Sequence, residues 1–172
     1  MELGLRAGTW RSRALGDADA GALQGLCAAC DDYFVLVFGR PATTDEAAKM
    51  LAELPEGVSH EDKHVVGFFD ATERLRAVLD LVAHYPSSDG WFVGELLIEP
   101  AERGRGSGSQ IVEATVRKLQ SIGATRVGLA VAEQNVAARR FWERHGFQLE
   151  KRWPPRPMGL LQTVLLEMRR EL

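Results

Sequence analysis

At 172 residues, 45% of them hydrophobic and 26% charged, the chain has the composition of an ordinary globular domain, and we expect one domain over 1–172. Its formal charge of −3 argues against a general nucleic-acid binder, which is usually basic, but leaves room for a local basic patch around a small anion. No apolar run approaches the roughly 20 residues of a membrane span, and "MELGLRAGTWRSR" lacks the apolar segment of a secretory signal, so a cytoplasmic chain with no membrane partner is expected.

Thr9–Leu15 alternates loosely and reads as a first strand. Asp17 offers an N-cap, and residues 18–34 carry Leu23, Leu26, Cys27 and Cys30 at helical spacing. That helix sets both thiols on one face. No second cysteine pair exists to complete a zinc site, so we expect packed thiols in a reducing compartment and no metal. Gly39–Pro41 breaks the chain, and Thr44 then caps a second helix with acids in its first turn. His64–Phe69, Leu75–Tyr85 and Trp91–Ile98 read as an antiparallel meander, with turns at 70–74 and 86–90. Pro100 closes the last strand.

From Ser109 to Gly123 the residues Ile111, Val112, Val116, Leu119 and Ile122 form one helical stripe. Arg126–Val131 is a short apolar strand, and a strand–helix–strand crossover makes the strands on either side of the helix parallel. A short helix from Asn135 ends at Gly146 with Phe147 packing back. Phe147–Trp153 and Thr163–Arg169 read as final strands around a Pro-rich turn. The expected fold class is α+β: a mixed, mostly antiparallel sheet with helices on both faces and one β-α-β unit.

Ahead of the long helix stands "ERGRGSGSQ", residues 102–110. A helix N-terminus offers unpaired N–H groups and about half a positive charge. Glycines let backbone come close to a ligand, so the combination suits a phosphate. A Walker loop would need Gly-Lys-Ser/Thr, and "GSGSQ" has no lysine. A dinucleotide fingerprint would need a glycine or alanine where "GSGSQI" has Ile111.

"PAERGRGSG" resembles instead the Arg/Gln-x-x-Gly-x-Gly/Ala loop of the GNAT N-acetyltransferases, with Arg103, Gly106 and Gly108 at the matching positions. Further on, "NVAARRFWERHGF" resembles the family's Asn-x-x-Ala-x-x-Phe-Tyr-x-x-x-Gly-Phe, matched by Asn135, Ala138, Phe141, Gly146 and Phe147. The resemblance implies acetyl-CoA as co-substrate. Backbone from Arg103 through Gly104, Arg105, Gly106 and Ser107 to Gly108 would hold its pyrophosphate. Freed backbone near Leu97 and Ile98 would pair with the pantetheine amides, and Asn135, Phe141 and Trp142 would line the other side. Arg139, with Arg140 and Lys118, would meet the 3′-phosphate. The implied activity is acetyl transfer to a primary amine, on a small molecule or a protein. A non-catalytic acyl-CoA-binding module is the second reading. Family members are often dimers, so a homodimer stays open.

The reaction needs a proton acceptor, because an alkylamine titrates near 10. With 86–90 as the hairpin turn, Leu81 faces Glu95, Asp80 faces Leu96 and His84 faces Phe92. Period two then puts Glu95 on one face and Asp80 with His84 on the other. Glu95 is the preferred base, with His84, Asp80 or water as alternatives. A bulge would change the face assignment. The family's tyrosine acid is replaced by Trp142, whose indole donates a hydrogen bond but cannot act as an acid. Tyr33 and Phe34 lie in the segment that usually covers the acceptor site, and Tyr33 is a candidate phenol.

Overall fold

The computed structural model describes residues 3–172. Its strands are β1 (Arg6–Ala7), β2 (Trp10–Ala14), β3 (Lys63–Phe69), β4 (Leu75–Ala83), β5 (Gly90–Ile98), β6 (Arg126–Ala132), β7 (Gln148–Arg152), β8 (Arg156–Met158), β9 (Leu161–Thr163) and β10 (Leu165–Glu171). Its α-helices are α1 (Ala20–Ala29), α2 (Asp31–Phe38), α3 (Glu46–Ala52), α4 (Ser107–Ser121) and α5 (Val136–Arg144). Eight strands form one sheet in the order β1-β2-β3-β4-β5-β6-β10-β7, and β8 with β9 makes a separate hairpin. Every pairing in the large sheet is antiparallel except β5 with β6.

Strand alternation divides the core into two layers. On β3, Val66 and Phe68 pack beneath α4 with Ile111 and Leu119, while Val65 and Phe69 pack on the other face with Leu23, Cys27 and Phe34. Burying each such Leu or Phe side chain contributes about 1.5–3 kcal/mol. The α4 stripe holds through Leu119, and Ile122 at its end is exposed. Both thiols are buried without a disulfide, and burial pushes the Cys27 thiol up to about 12.

The expected helix over 18–34 is two helices. Cys30 leaves helical geometry (φ −97°, ψ 27°), and the segments bend by 69°. The partners differ on either side of the bend. Leu23 and Leu26 of α1 join the α3 layer, whereas Val37 of α2 packs on Ala132 and Leu165. The α3 cap also differs from expectation. Asp45 precedes the helix, and Glu46 folds its carboxylate back to accept from the Thr43 N–H (3.2 Å) and hydroxyl (2.7 Å). The Pro-rich turn is itself the β8–β9 hairpin. It sits on the end of α2, with the Leu160 N–H donating to the Phe38 carbonyl at 2.7 Å.

The decisive feature for the site is where the sheet opens. The parallel β5–β6 pairing runs from Gly90↔Arg126 to Val93↔Leu129 and stops there. Beyond Val93, β5 keeps β4 but has lost β6.

Candidate active site

Two cavities meet in that opening. The first, about 600 Å³, is lined by Leu96, Ile98, Gly104, Gly106, Asn135 and Phe141, among others. The second, about 350 Å³, lies between β5, β6, α2 and the β8–β9 hairpin. Tyr33, Leu96, Asn135, Ala138 and Trp142 line both. A third cavity of about 370 Å³ lies across Glu95, lined by Phe34, Arg40, Lys63 and Asp80.

The loop owes its shape to glycine. Gly104 (φ +73°) and Gly106 (φ +88°) are left-handed, a conformation a side chain would resist. Gly106 is the N-cap of α4, so the helix starts at Ser107, two residues earlier than its apolar stripe suggests. A Cβ on Gly108 would lie 3.1 Å from Ile98 and 3.3 Å from Phe141, so this glycine lets α4 and α5 close together. Among the described residues, no backbone carbonyl accepts from Gly104, Arg105 or Gly106. Those N–H groups and the first three of α4 form a cluster of donors at the positive end of a helix 15 residues long.

Arg103 does not add its charge to that cluster. Its N–H donates to Pro100 at 3.2 Å, its Nε donates to the Ile98 carbonyl at 2.8 Å, and its guanidinium pairs with Asp32 on α2. Arg105 is exposed. The backbone offered to a ligand by β5 also differs from expectation. The Glu99 N–H donates to Arg76 on β4, so Leu97 points to β4 as well, and Leu96 and Ile98 face the opening. Leu97 itself is buried, and the Ile98 carbonyl is already taken by Arg103.

Across the opening, Asn135 caps α5 by accepting from the Ala138 N–H at 3.1 Å. Phe141 and Trp142 stand edge to face, and Trp142 is buried against Phe147. Arg139 lies outside both cavities, its guanidinium 2.8 Å from Glu143 one helical turn on. Arg144 lines the first cavity in its place. Sequence reasoning missed Arg144, Leu96 and Ser109. The alternation counted back from Glu99 would have found Leu96.

The β4–β5 register corrects the sequence reading. Ala83 faces Trp91, Leu81 faces Val93, and then Asp80 faces Glu95. The hairpin loop begins at His84, earlier than supposed, and a bulge at Gly94 shifts the pairing once more. Asp80 and Glu95 therefore share a face, the one beneath α1–α3. Gly94 is needed there, because a Cβ would sit 2.7 Å from the Asp80 carboxylate. His84 is not in the opening. It is exposed in the hairpin loop (φ +56°), its Nδ1 lies 2.7 Å from the Ser88 carbonyl, and its nearest acid is Asp62.

Glu95 is half-buried, with its remaining surface open to the second and third cavities. Burial pushes its carboxyl up to about 8; the Tyr33 hydroxyl opposes the rise, and Asp80 and Glu46 add repulsion. Burial also raises Asp80, although Lys63 lies 2.9 and 3.0 Å from its two oxygens. Tyr33 is raised well above an ordinary phenol by burial and then by Glu95, so it stays protonated. Its position at the junction of the two cavities, on a helix tied to the loop by Asp32–Arg103, comes from the bend at Cys30.

An opened parallel strand pair thus lies beside a glycine-rich helix N-terminus, with a carboxylate lining the gap. The family model for the acetyltransferase (GNAT) family matches residues 29–147, and the chain belongs to that family. An acetyltransferase from Thermus thermophilus has a similar fold, with a TM-score of 0.79 at 23% identity over 98% of this chain and 100% of that one. A ribosomal L7/L12 alpha-N-protein acetyltransferase gives a TM-score of 0.78 at 16% identity, over 100% of this chain and 94% of that one. A GCN5-related N-acetyltransferase from Kribbella flavida gives 0.69 at 21%, over 95% and 98%. At these identities the likeness is one of fold. No curated protein sequence matches the chain.

Proposed function

We propose that the chain transfers an acetyl group from acetyl-CoA to a primary amine by direct attack, with Glu95 as general base and Tyr33 as general acid. The observation that carries the reading is the junction of the two cavities. The donor cluster opens into one, Glu95 into the other, and Tyr33 lines both.

The backbone of Gly104 to Ser109 would hold the pyrophosphate, with Arg144 near the outer phosphates. Leu96 would pair with the pantetheine, and Asn135, Phe141 and Trp142 would wall it. Acetyl-CoA supplies an activated acyl carbonyl. The chain's own residues align the amine with it, exclude water and move protons. Glu95 takes the proton that the nitrogen sheds as the C–N bond forms. Tyr33 gives a proton to the sulfur as the C–S bond breaks. Transfer from Glu95 to the neighbouring Tyr33 oxygen restores both groups, and the products are an amide and a free thiol. A carboxyl near 8 is suited to this work, since an efficient base titrates near the working pH. We place the protein in the cytoplasm on the same footing, the two free thiols suiting a reducing compartment.

The test is acetyl-CoA titration by calorimetry followed by thiol release over an amine panel. Saturable binding with amine-dependent release in wild type, and binding without release in Glu95→Gln, is the expected result. Binding with no release for any amine would favour an acyl-CoA-binding module.

A further inference from the structure

The second cavity carries a charge pattern that names its occupant. Its lining is mostly apolar, with Val37, Phe38, Leu129, Val131 and Met158 among its walls. Among the described residues, one carboxyl and one basic side chain line it, Glu95 and Arg156. The nearby cations are paired: Arg40 with Glu46 at 2.7 Å, Lys63 with Asp80 at 2.9 Å, and Arg152 with Glu133 at 2.7 Å. Arg156 has no carboxylate partner among the described residues.

Arg156 is also held in place. Its strand β8 belongs to the hairpin whose Leu160 N–H donates to Phe38 at 2.7 Å. Thr163 in β9 donates its hydroxyl to the Val37 carbonyl at 3.4 Å and accepts from Gln134 at 3.3 Å. Gly159 in the turn lies so close to α2 that a Cβ would sit 2.4 Å from the Phe38 carbonyl. Arg156 is exposed to solvent and lines the cavity from this pinned hairpin, and its guanidinium suits a planar oxyanion, which it can grip with two parallel hydrogen bonds.

We propose that the acceptor is a small aminocarboxylic acid: its amine is delivered to Glu95, its carboxylate is bound by Arg156, and its carbon skeleton fills the apolar space between them. The proposal rests on the acetyl-transfer reading above and names the substrate class for it. One guanidinium matches one carboxylate in charge and shape, whereas a phosphate dianion would call for a second cation, and this cavity has none. A volume of about 350 Å³ suits a compact molecule.

The experiment is calorimetric titration of the protein saturated with free CoA, so that binding is read without turnover. The probes are ω-amino acids from glycine to 6-aminohexanoate and L-leucine, each against its amide, on wild type and Arg156→Gln. We expect at least one acid to bind about tenfold or more tightly than its amide, or roughly 1.4 kcal/mol. In Arg156→Gln that gap closes through the acid alone, with the affinities for the amide and for CoA unchanged. Equal binding of acids and amides in wild type would overturn the proposal, as would an equal loss of both in the variant. Tighter binding of a neutral-sequence peptide N-terminus than of any acid would overturn it in favour of a protein acceptor. Selective binding of an acid without thiol release from acetyl-CoA would overturn the transfer reading and the acceptor role with it, leaving Arg156 only as a carboxylate-binding group.

Discussion

The two halves of the site are built by different means. The half we assign to the phosphates is contiguous, running from Gly104 to Ser109, and offers backbone N–H donors set by two left-handed glycines and a helix start. The half we assign to the acceptor draws Tyr33 from α2, Glu95 from beside a bulge in β5 and Arg156 from a hairpin near the end of the sequence. Its working groups are side chains, and packing sets their properties. A backbone site tolerates any side chain that leaves the loop's shape intact, whereas a packed side-chain site fails when one group is replaced.

The largest effect should come from Glu95→Gln, which leaves the shape nearly unchanged. We expect kcat to fall about 10²-fold or more, with the Kd for acetyl-CoA within twofold of wild type. Rapid-quench or thiol-release kinetics beside calorimetry would check it, and an unchanged kcat would remove Glu95 from the mechanism. Gly106→Val attacks the other half. A β-branched residue at φ +88° is strained, and the loop must shift. The Kd for acetyl-CoA should rise roughly 10- to 100-fold while kcat at saturation stays close to wild type. If both variants lowered kcat and affinity together, the division between the halves would be wrong.

Tyr33→Phe should lower kcat by about tenfold or more, less than Glu95→Gln, because a thiol leaves fairly readily. The base acts only when ionised, so kcat at saturating amine should rise with pH through about 8 and then level off. A rise centred near the ordinary carboxylate value of 4.5 would deny the burial that sets it.

The last effect is on stability and needs no substrate to read. With its folded-state value raised from 4.5 to about 8, Glu95 holds its proton more tightly in the folded chain than in the unfolded one. The stability attached to that proton is complete below about 4.5 and is lost as pH rises to about 8. Glu95→Gln escapes the loss, which is on the order of a few kcal/mol. Its melting temperature should therefore exceed that of wild type by roughly 5 °C or more at pH 9 and match it near pH 4.5.

The amino-acid sequence by itself determined what depends on near neighbours: the meander, the α4 stripe, the parallel crossover, the glycine loop and the Asn135 cap. Each is written in local periodicity or in one residue's backbone preference, and so it could be read before any contact was known. The two motifs also carried the family, and Glu95 stood out as a carboxylate among apolar neighbours. Only the tertiary structure decided the rest. The Gly94 bulge put Asp80 beside Glu95, since a slip of one residue reverses every side chain, and the early hairpin loop left His84 outside the opening. The bend at Cys30 answered to partners on β6 and β10 and carried Tyr33 over the gap. Arg103 was drawn to Asp32, 71 residues away, and Arg139 to its neighbour Glu143. Arg156 reached the second cavity because its hairpin docks on α2. Such placements are settled by competition among distant groups for burial and charge, and no local pattern records them.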